Sequence, residues 1–391
     1  MSTLDTLLTI HQQGSACLST LLSQIPDPRQ LCAAHAGNDH PCVFSLDCPL
    51  AEEKDSGLYV IRPREDAWWR LYKEHASLFW SPEEIRWSED KAAFAKLSPD
   101  EQLPIKMALC FFASADGIVG ENIVVNFFPK VKHPSIRAFY GFQLAMEGIH
   151  GETYSDGIRA LLPEPEQQAI LSAMTTIPAV ARMTKWAMKW MHPNIPFVLR
   201  LMAFAAVEGI MFSGAFCLIF WMKHCKKIHL PGLYQSNDLI SRDEGLHYAS
   251  ALKLVLAIFE HCKEKIPERI VHIMIGELMS CVDEFSTQSL QVNKLGMNAD
   301  NMSQYLRFVA NGYFKFLEYT PLYQNIENPF DWMQSIGLCQ LVNFFERAAT
   351  SYAKHEMTNK LAKKQDHDGM QQEIPLTGHL SNHVDLDDMD F

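Results

Sequence analysis

Two Glu-x-x-His pairs are the residues best suited to chemistry in this chain: Glu147-Gly-Ile-His150 and Glu244-Gly-Leu-His247, the only two in 391 residues. Positions three apart share one helix face, so each pair presents a carboxylate beside an imidazole. Two further acids, Asp116 and Glu208, stand alone in apolar helical runs, Ala108-Leu-Cys-Phe-Phe-Ala-Ser-Ala-Asp116-Gly-Ile-Val and Leu201–Met222. An unpaired buried carboxylate costs several kcal/mol, so four of them need compensation. Two divalent cations would cancel the charge, because neutral imidazoles add none. Carboxylates and imidazoles without a thiolate suit iron or manganese better than a closed structural zinc site.

One carboxylate from each of two helices, plus a Glu-x-x-His from each of two others, is the ligand pattern of ferritin-like di-iron bundles. Tyr154 lies one turn past His150, about 6 Å along the axis. A phenol there can lose an electron and a proton to an oxidised metal pair, provided that its walls are apolar. Phe212, Phe216 and Ile240 fall at helical spacing from Glu208 and Glu244 and are candidate wall residues. Asp243, next to Glu244, is a candidate acceptor for the outer N–H of a ligand imidazole. Glu121 and Glu152 are decoys: each lies five residues from an acid of the set, about 140° round the helix.

The elements that must carry these residues read as helices throughout. Arg64 to Trp80 has helical periodicity, and Ser81-Pro82 and Ser98-Pro99-Asp100-Glu101 are helix starts, the second with a capping box. The helix from Pro99 should run to about Phe128, and the next should open at Pro134 and end near Pro163. Further helices are expected over about Thr175–Trp190, from Pro196 through Glu208, after a Pro231-Gly232 turn, and over Glu268–Asn293, Asn301–Phe316 and Pro329–Thr350. Residues 1–60, with a short helix over Leu4–Leu22, form an irregular extension. No alternating strand pattern or Gly-rich phosphate loop occurs. The expected organisation is an all-α, ferritin-like di-iron helical bundle with additional helices over 61–354, followed by a flexible tail over 355–391. The tail is too polar to fold alone, and its end, Asp385-Leu-Asp-Asp-Met-Asp-Phe391, spaces three apolar residues for docking on a partner.

Composition narrows the partners. A net charge of −12 argues against nucleic acid or an anionic membrane held by general electrostatics. Ten cysteines without a Cys-x-x-Cys, and a start lacking a basic region and a continuous apolar core, point to free thiols in the cytoplasm. Cys42 and Cys48 are a weak candidate for a bridge or a metal site. Leu201–Met222 is long enough to span a bilayer, but no second comparable span accompanies it and Glu208 has partners elsewhere, so a buried bundle helix is expected.

The chain resembles the small, radical-generating subunit of class I ribonucleotide reductase, of the eukaryotic and large-DNA-virus type. The resemblance rests on Ser77-Leu-Phe-Trp80, Phe111-Phe-Ala-Ser-Ala-Asp116-Gly-Ile-Val, Phe139-Tyr-Gly-Phe-Gln-Leu-Ala-Met-Glu147-Gly-Ile-His150, Ala203-Phe-Ala-Ala-Val-Glu208-Gly-Ile-Met-Phe-Ser-Gly and Ser241-Arg-Asp-Glu244-Gly-Leu-His247. Asn328-Pro-Phe-Asp331 and Asn343-Phe-Phe-Glu-Arg add to it, while Gly148 and Gly151 stand where that family commonly has Asn and Ser. The resemblance implies two iron ions, one held by Asp116, Glu147 and His150 and the other by Glu208, Glu244 and His247. It further implies a tyrosyl radical on Tyr154, a transfer chain through Trp80, Asp243 and His150, and an exit through Tyr352. The implied assembly is a homodimer that is active only with a large subunit, docked through the acidic tail, which reduces ribonucleoside diphosphates. A di-iron oxygenase or desaturase, or a ferritin-like iron-binding protein, would use similar ligands. Tyr154, Tyr352 and the tail distinguish this chain from both.

Overall fold

Long apolar runs without alternation leave the helix as the way to pair every buried backbone group. The computed structural model describes residues 42–50, 66–172, 176–290 and 297–335, and these contain helices and no strand. The all-α expectation holds. Tyr352, the acidic tail, most of the proposed 329–350 helix and the Leu4–Leu22 segment lie outside the described residues.

In chain order the helices are α1 (Ala67–Ser77), α2 (Asp90–Phe94), α3 (Pro99–Asn122), α4 (Pro134–Leu161), α5 (Glu164–Leu171), α6 (Pro178–Trp190), α7 (Phe197–Ala206), α8 (Phe212–His224), α9 (Pro231–Cys262), α10 (Glu268–Ser289) and α11 (Ala299–Phe316). Short 3₁₀ turns cover Pro82–Glu84 and Asp331–Ser335. Two π turns extend or join core helices: Ile123–Phe127 continues α3, and Val207–Met211 links α7 to α8. The four-sided core packs α3 on α4 and α8, with α9 against α4, α7 and α8. Helices α1, α6, α10 and α11 cover it from outside.

Sequence signals set several of the ends. Ser98 and Glu101 form the expected capping box of α3, with the Glu101 carboxylate accepting from the Ser98 backbone N–H at 3.0 Å. Asn298 caps α11 by accepting from Asn301 N–H at 2.8 Å. Other ends differ from expectation. Helix α1 stops at Ser77, so Leu78–Trp80 lies beyond it; the Leu78 carbonyl accepts from Arg242 Nη2 at 2.7 Å instead of continuing the helix. Pro231-Gly232 opens α9 rather than forming a turn, because the carboxylate of Asp90 accepts the N–H groups of Gly232 and Leu233 at 2.9 and 2.8 Å. This cap comes from another helix, 142 residues away. Helix α6 begins at Pro178 rather than Thr175.

A second long apolar helix exists, contrary to expectation: Pro99–Phe127, like Phe197–His224, is long and apolar enough to cross a membrane. The apolar window of Phe197–His224 is 100% buried inside the fold and that of Pro99–Phe127 is 61% buried, which is how core helices of a bundle behave. Near its start Arg200 is buried, donating to the carbonyls of Ile195 and Leu46 and to Asn126 Oδ1, and Phe197 N–H donates to Ser45 O. The 42–50 segment is thereby tied to α7. Neither Cys42 nor Cys48 is in a disulfide.

The π turn at Val207–Met211 lies where α9 comes closest. A Cβ built on Gly209 would come closer than 3.0 Å to ring atoms of Tyr248, so glycine sets the approach of the two elements that carry Glu208, Glu244 and His247. Gly209→Ala is expected to destabilise the protein by about 1–3 kcal/mol through overpacking, read as a lower thermal midpoint. Gly312→Ala, with nothing within 4 Å of the added carbon, is expected to be neutral or stabilising by up to about 1 kcal/mol.

Candidate metal centre

Asp116 on α3, Glu147 and His150 on α4, Glu208 in the π turn, and Glu244 and His247 on α9 are all buried, each at most 5% exposed. They converge as two overlapping groups: Glu147, Glu208, Glu244 and His247, and Asp116, Glu147 and His150, with donor atoms in each group within 4.8 Å of one another. Both histidines turn Nδ1 inward. Nδ1 of His150 is 3.4 Å from Glu147 Oε2 and 2.9 Å from Glu244 Oε1. Nδ1 of His247 is 3.1 Å from Glu147 Oε1, 3.2 Å from Glu244 Oε2 and 4.0 Å from Glu208 Oε2. Glu147 and Glu244 therefore each offer one oxygen to either side, while Asp116 and Glu208 close the two ends. That is finer than a division into two separate triads. Glu121 and Glu152 are exposed on the far faces of their helices.

The donor set fits cations better than it fits itself. Both oxygens of Asp116, Oε2 of Glu147, Oε2 of Glu208, Oε1 of Glu244 and Nδ1 of His150 are buried with no aligned hydrogen bond. His150 Nδ1 and Glu244 Oε1 approach to 2.9 Å without an aligned hydrogen bond, both turned toward a common space. Native buried polar groups are rarely left unpaired, and six such atoms facing one space is the arrangement a pair of hard, oxygen-preferring divalent ions would satisfy. Without them, protons compensate. Burial, then the charge of Glu147, pushes the Asp116 carboxyl well above its usual range, and burial with the charge of Glu244 does the same to Glu208. Burial opposes protonation of both histidines, but carboxylate contacts outweigh it, raising His150 well above its ordinary value and His247 to about 9. Gln143, one turn before Glu147, donates Nε2–H to Glu147 Oε1 and Glu208 Oε1 at 3.2 Å each. Sequence reading passed over it, although its i−4 spacing from Glu147 was a usable signal.

Around this core lie the partners of the ring nitrogens. Asp243 is fully buried; its Oδ2 is 3.3 Å from His150 Nε2 and accepts from Trp80 Nε1 at 2.7 Å. Its Oδ1 accepts from Arg242 Nε and Nη2 at 3.1 and 2.9 Å. Burial raises the Asp243 carboxyl, yet the hydrogen bond and charge of His150, with help from Arg242 and Trp80, leave it below the usual range. Trp80 is 2% exposed and stacks on His150 with ring centres 6.0 Å apart. Behind His247 stands His75, which the sequence reading did not single out: Nε2 to Nε2 is 3.1 Å, and burial followed by the charge of His247 pushes its imidazolium down to about 2.

Tyr154 is 3% exposed, and its hydroxyl has no hydrogen-bond partner among the described residues. Burial, then the charge of Asp116, pushes the phenol well above its ordinary value. Its ring stacks on Phe112 at 4.7 Å and 7° between planes, and Phe112 in turn packs on Phe212 and Phe216 at 5.9 and 4.7 Å. The two expected wall residues thus stand behind Phe112, which lies four residues before Asp116 and shares its face. Ile240 is buried one turn before Glu244.

Comparison with known proteins places this arrangement. The family model described as ribonucleotide reductase, small chain, matches residues 58–329. The ribonucleoside-diphosphate reductase small chain of Trypanosoma brucei brucei is 44% identical over 307 residues, covering 78% of this chain and 89% of that one. The corresponding small chain of vaccinia virus (strain Ankara) is 42% identical over 287 residues, 73% of this chain and 88% of its own. Among solved structures, the ribonucleotide reductase Rnr4 homodimer from Saccharomyces cerevisiae superposes with a TM-score of 0.69 at 27% identity, over 86% of this chain and 99% of that one. The chain therefore belongs to the ribonucleotide reductase small-chain family and is one subunit of an oxidoreductase.

Proposed function

We propose that this subunit generates and stores a radical on Tyr154 and passes it to a separate large subunit, which reduces ribonucleoside diphosphates to deoxyribonucleoside diphosphates. The observation that carries the reading is the placement of a buried phenol, stacked on Phe112 and one helical turn past His150, beside six convergent carboxylate and imidazole donors. Asp116, Glu147, His150, Glu208, Glu244 and His247 would hold two iron ions, and that pair, with O₂ and one further electron from an external reductant, would supply the oxidising power to take one electron from a phenol.

Everything else falls to the chain itself. Tyr154 would give up one electron and its hydroxyl proton toward the centre, where reduced O₂ takes up both; Asp116 is the carboxylate whose charge acts on the phenol most strongly. Phe112, Phe212 and Phe216 keep water and other reductants from the ring. The outward path runs from His150 Nε2 through Asp243 Oδ2 to Trp80 Nε1–H. A hydrogen bond to a fixed anion lets the indole lose an electron while its N–H proton shifts toward Asp243. Tyr352 and the acidic tail ending in Phe391 complete the route to the large subunit, working in the cytoplasm as a homodimer. The yeast relative whose structure superposes on this chain is described as a homodimer.

Metal uptake has a defined sign with pH. His247 is raised to about 9 in the metal-free state, so a cation must displace its proton at neutral pH. Calorimetric titration should find two divalent ions per chain. Affinity should rise by about tenfold per pH unit for each proton released, up to about pH 9. A flat pH profile between 6.5 and 9 would contradict that protonation state.

The radical has its own test. Metal-free protein loaded anaerobically with Fe(II) and exposed to air should give a tyrosyl EPR signal that Tyr154→Phe abolishes. An unchanged signal in that variant would refute the assignment. Trp80→Phe keeps the aromatic volume but removes the N–H donor. It should retain the Tyr154 signal yet lower turnover with the large subunit by about 100-fold or more, in line with loss of a group acting as a unit with its neighbours.

A further inference from the structure

The two histidines of the centre are backed by different chemistry. Behind His150, Nε2 meets the carboxylate of Asp243 at 3.3 Å; behind His247, Nε2 meets Nε2 of His75 at 3.1 Å. Of two ring nitrogens at that separation, one must donate a proton and the other must offer a lone pair. His247 turns Nδ1 toward Glu147 and Glu244. With a metal bound at Nδ1 its proton sits on Nε2, and as a metal-free imidazolium it carries a proton on Nε2 as well. In both states His247 donates and His75 accepts.

His75 lies near the end of α1, outside the four core helices, and is fully buried. Its ring is held by Phe139 and Phe142, with centres 5.3 and 4.9 Å away, and meets His247 edge-on at 4.8 Å. Accepting at Nε2 leaves the His75 proton on Nδ1, which is buried with no hydrogen-bond partner among the described residues. A residue that merely filled space between phenylalanines would do better without a polar atom. An unpaired N–H there marks a residue kept for its other nitrogen.

We propose that His75 is a positioning residue: it accepts the Nε2–H of His247 and holds that ring with Nδ1 toward Glu147 and Glu244. As a neutral acceptor where Asp243 is an anion, it makes the Glu208–His247 half the weaker-held metal position. The physical reason for the inequality is that a carboxylate behind an imidazole raises its basicity more than a second imidazole does. Each half otherwise has one terminal carboxylate and a share of Glu147 and Glu244; Gln143, which donates to Glu147 Oε1 and Glu208 Oε1, also falls on the His247 half, so the backing of the histidine and that amide together distinguish them. The proposal rests on reading the six donors as a two-metal centre.

The test is an anaerobic Co(II) titration of the full-length metal-free chain, followed by equilibrium dialysis and by visible absorption of the bound ion. Wild type is expected to bind two ions of unequal affinity. His75→Phe keeps the ring but cannot accept, and should weaken the second ion by about 10- to 100-fold, shift its absorption bands and leave the first ion unchanged. His75→Gln, whose side-chain oxygen can accept, should restore the second affinity to within about threefold of wild type. Wild-type affinities and spectra in His75→Phe would overturn the proposal. So would equal impairment of both variants, which would reduce His75 to a space filler. Failure of wild type to bind cobalt at all would overturn the two-metal reading itself, an outcome distinguishable from the other two.

Discussion

Four carboxylates share one dry interior, and the rest of the structure answers to that constraint. Asp116, Glu147, Glu208 and Glu244 are each at most 5% exposed. Like charges at such separation cannot all persist in a medium of low polarisability. In the metal-free chain burial and mutual repulsion favour protons on Asp116 and Glu208, and the neighbouring carboxylates favour them on the two imidazoles. Cations resolve the conflict better, because each satisfies several oxygens at once where a proton satisfies at most two. The unpaired oxygens of the cluster record that difference. A centre organised in this way exchanges protons for metal rather than assembling around it.

Bringing the acids together requires helices closer than ordinary side chains allow. Gly209 lets the ring of Tyr248 occupy the space of a missing Cβ, and the π turn around it places Glu208 opposite Glu244 and His247. π turns of this kind are common at functional sites, since the extra residue rotates one side chain out of helical register. Asp90 fixes the start of α9 from α2, and Arg200 ties α7 to the 42–50 segment. Each contact lies well away from the acids. Together they set the axial position of the helices that carry them, and ångström errors there would be felt directly at the cluster.

Local spacing made most of the candidate site legible. The two Glu-x-x-His pairs, and the lone acids Asp116 and Glu208 in apolar runs, identified the helix faces that meet. The same geometry sent Glu121 and Glu152 outward. What escaped were partnerships across long stretches of chain. His75 bonds to His247 172 positions away, and Asp90 to Gly232 142 away; neither leaves a periodic trace. That long-range cap is also why Pro231-Gly232 read as a turn. Trp80 entered only through resemblance, because nothing local to Ser77-Leu-Phe-Trp80 announces Asp243 as its acceptor. Phe112 and Gln143 are different: each lies four residues before a ligand candidate, and the rule that found Phe212 and Phe216 should have found them.

The two sides of the centre differ in where a proton can go, and this gives it a direction. On one side His150 leads to Asp243, whose Oδ2 also accepts from Trp80 and whose Oδ1 is held by Arg242. With both oxygens engaged, that carboxylate stays ionised and cannot rotate, so it presents a permanent acceptor to the indole N–H. On the other side His247 leads to His75, and the chain of hydrogen bonds stops at an Nδ1 enclosed by Phe139 and Phe142. Among the described residues a proton moving that way has no acceptor, and an electron moving without its proton would leave an uncompensated charge in an apolar wall. Tyr154 has no hydrogen-bond partner among the described residues, and its ring is walled by Phe112. On the proposed reading, oxidation is confined at Tyr154 and blocked at His75, and it can leave only past His150, Asp243 and Trp80. Directionality then follows from which buried groups have partners, with no moving part required.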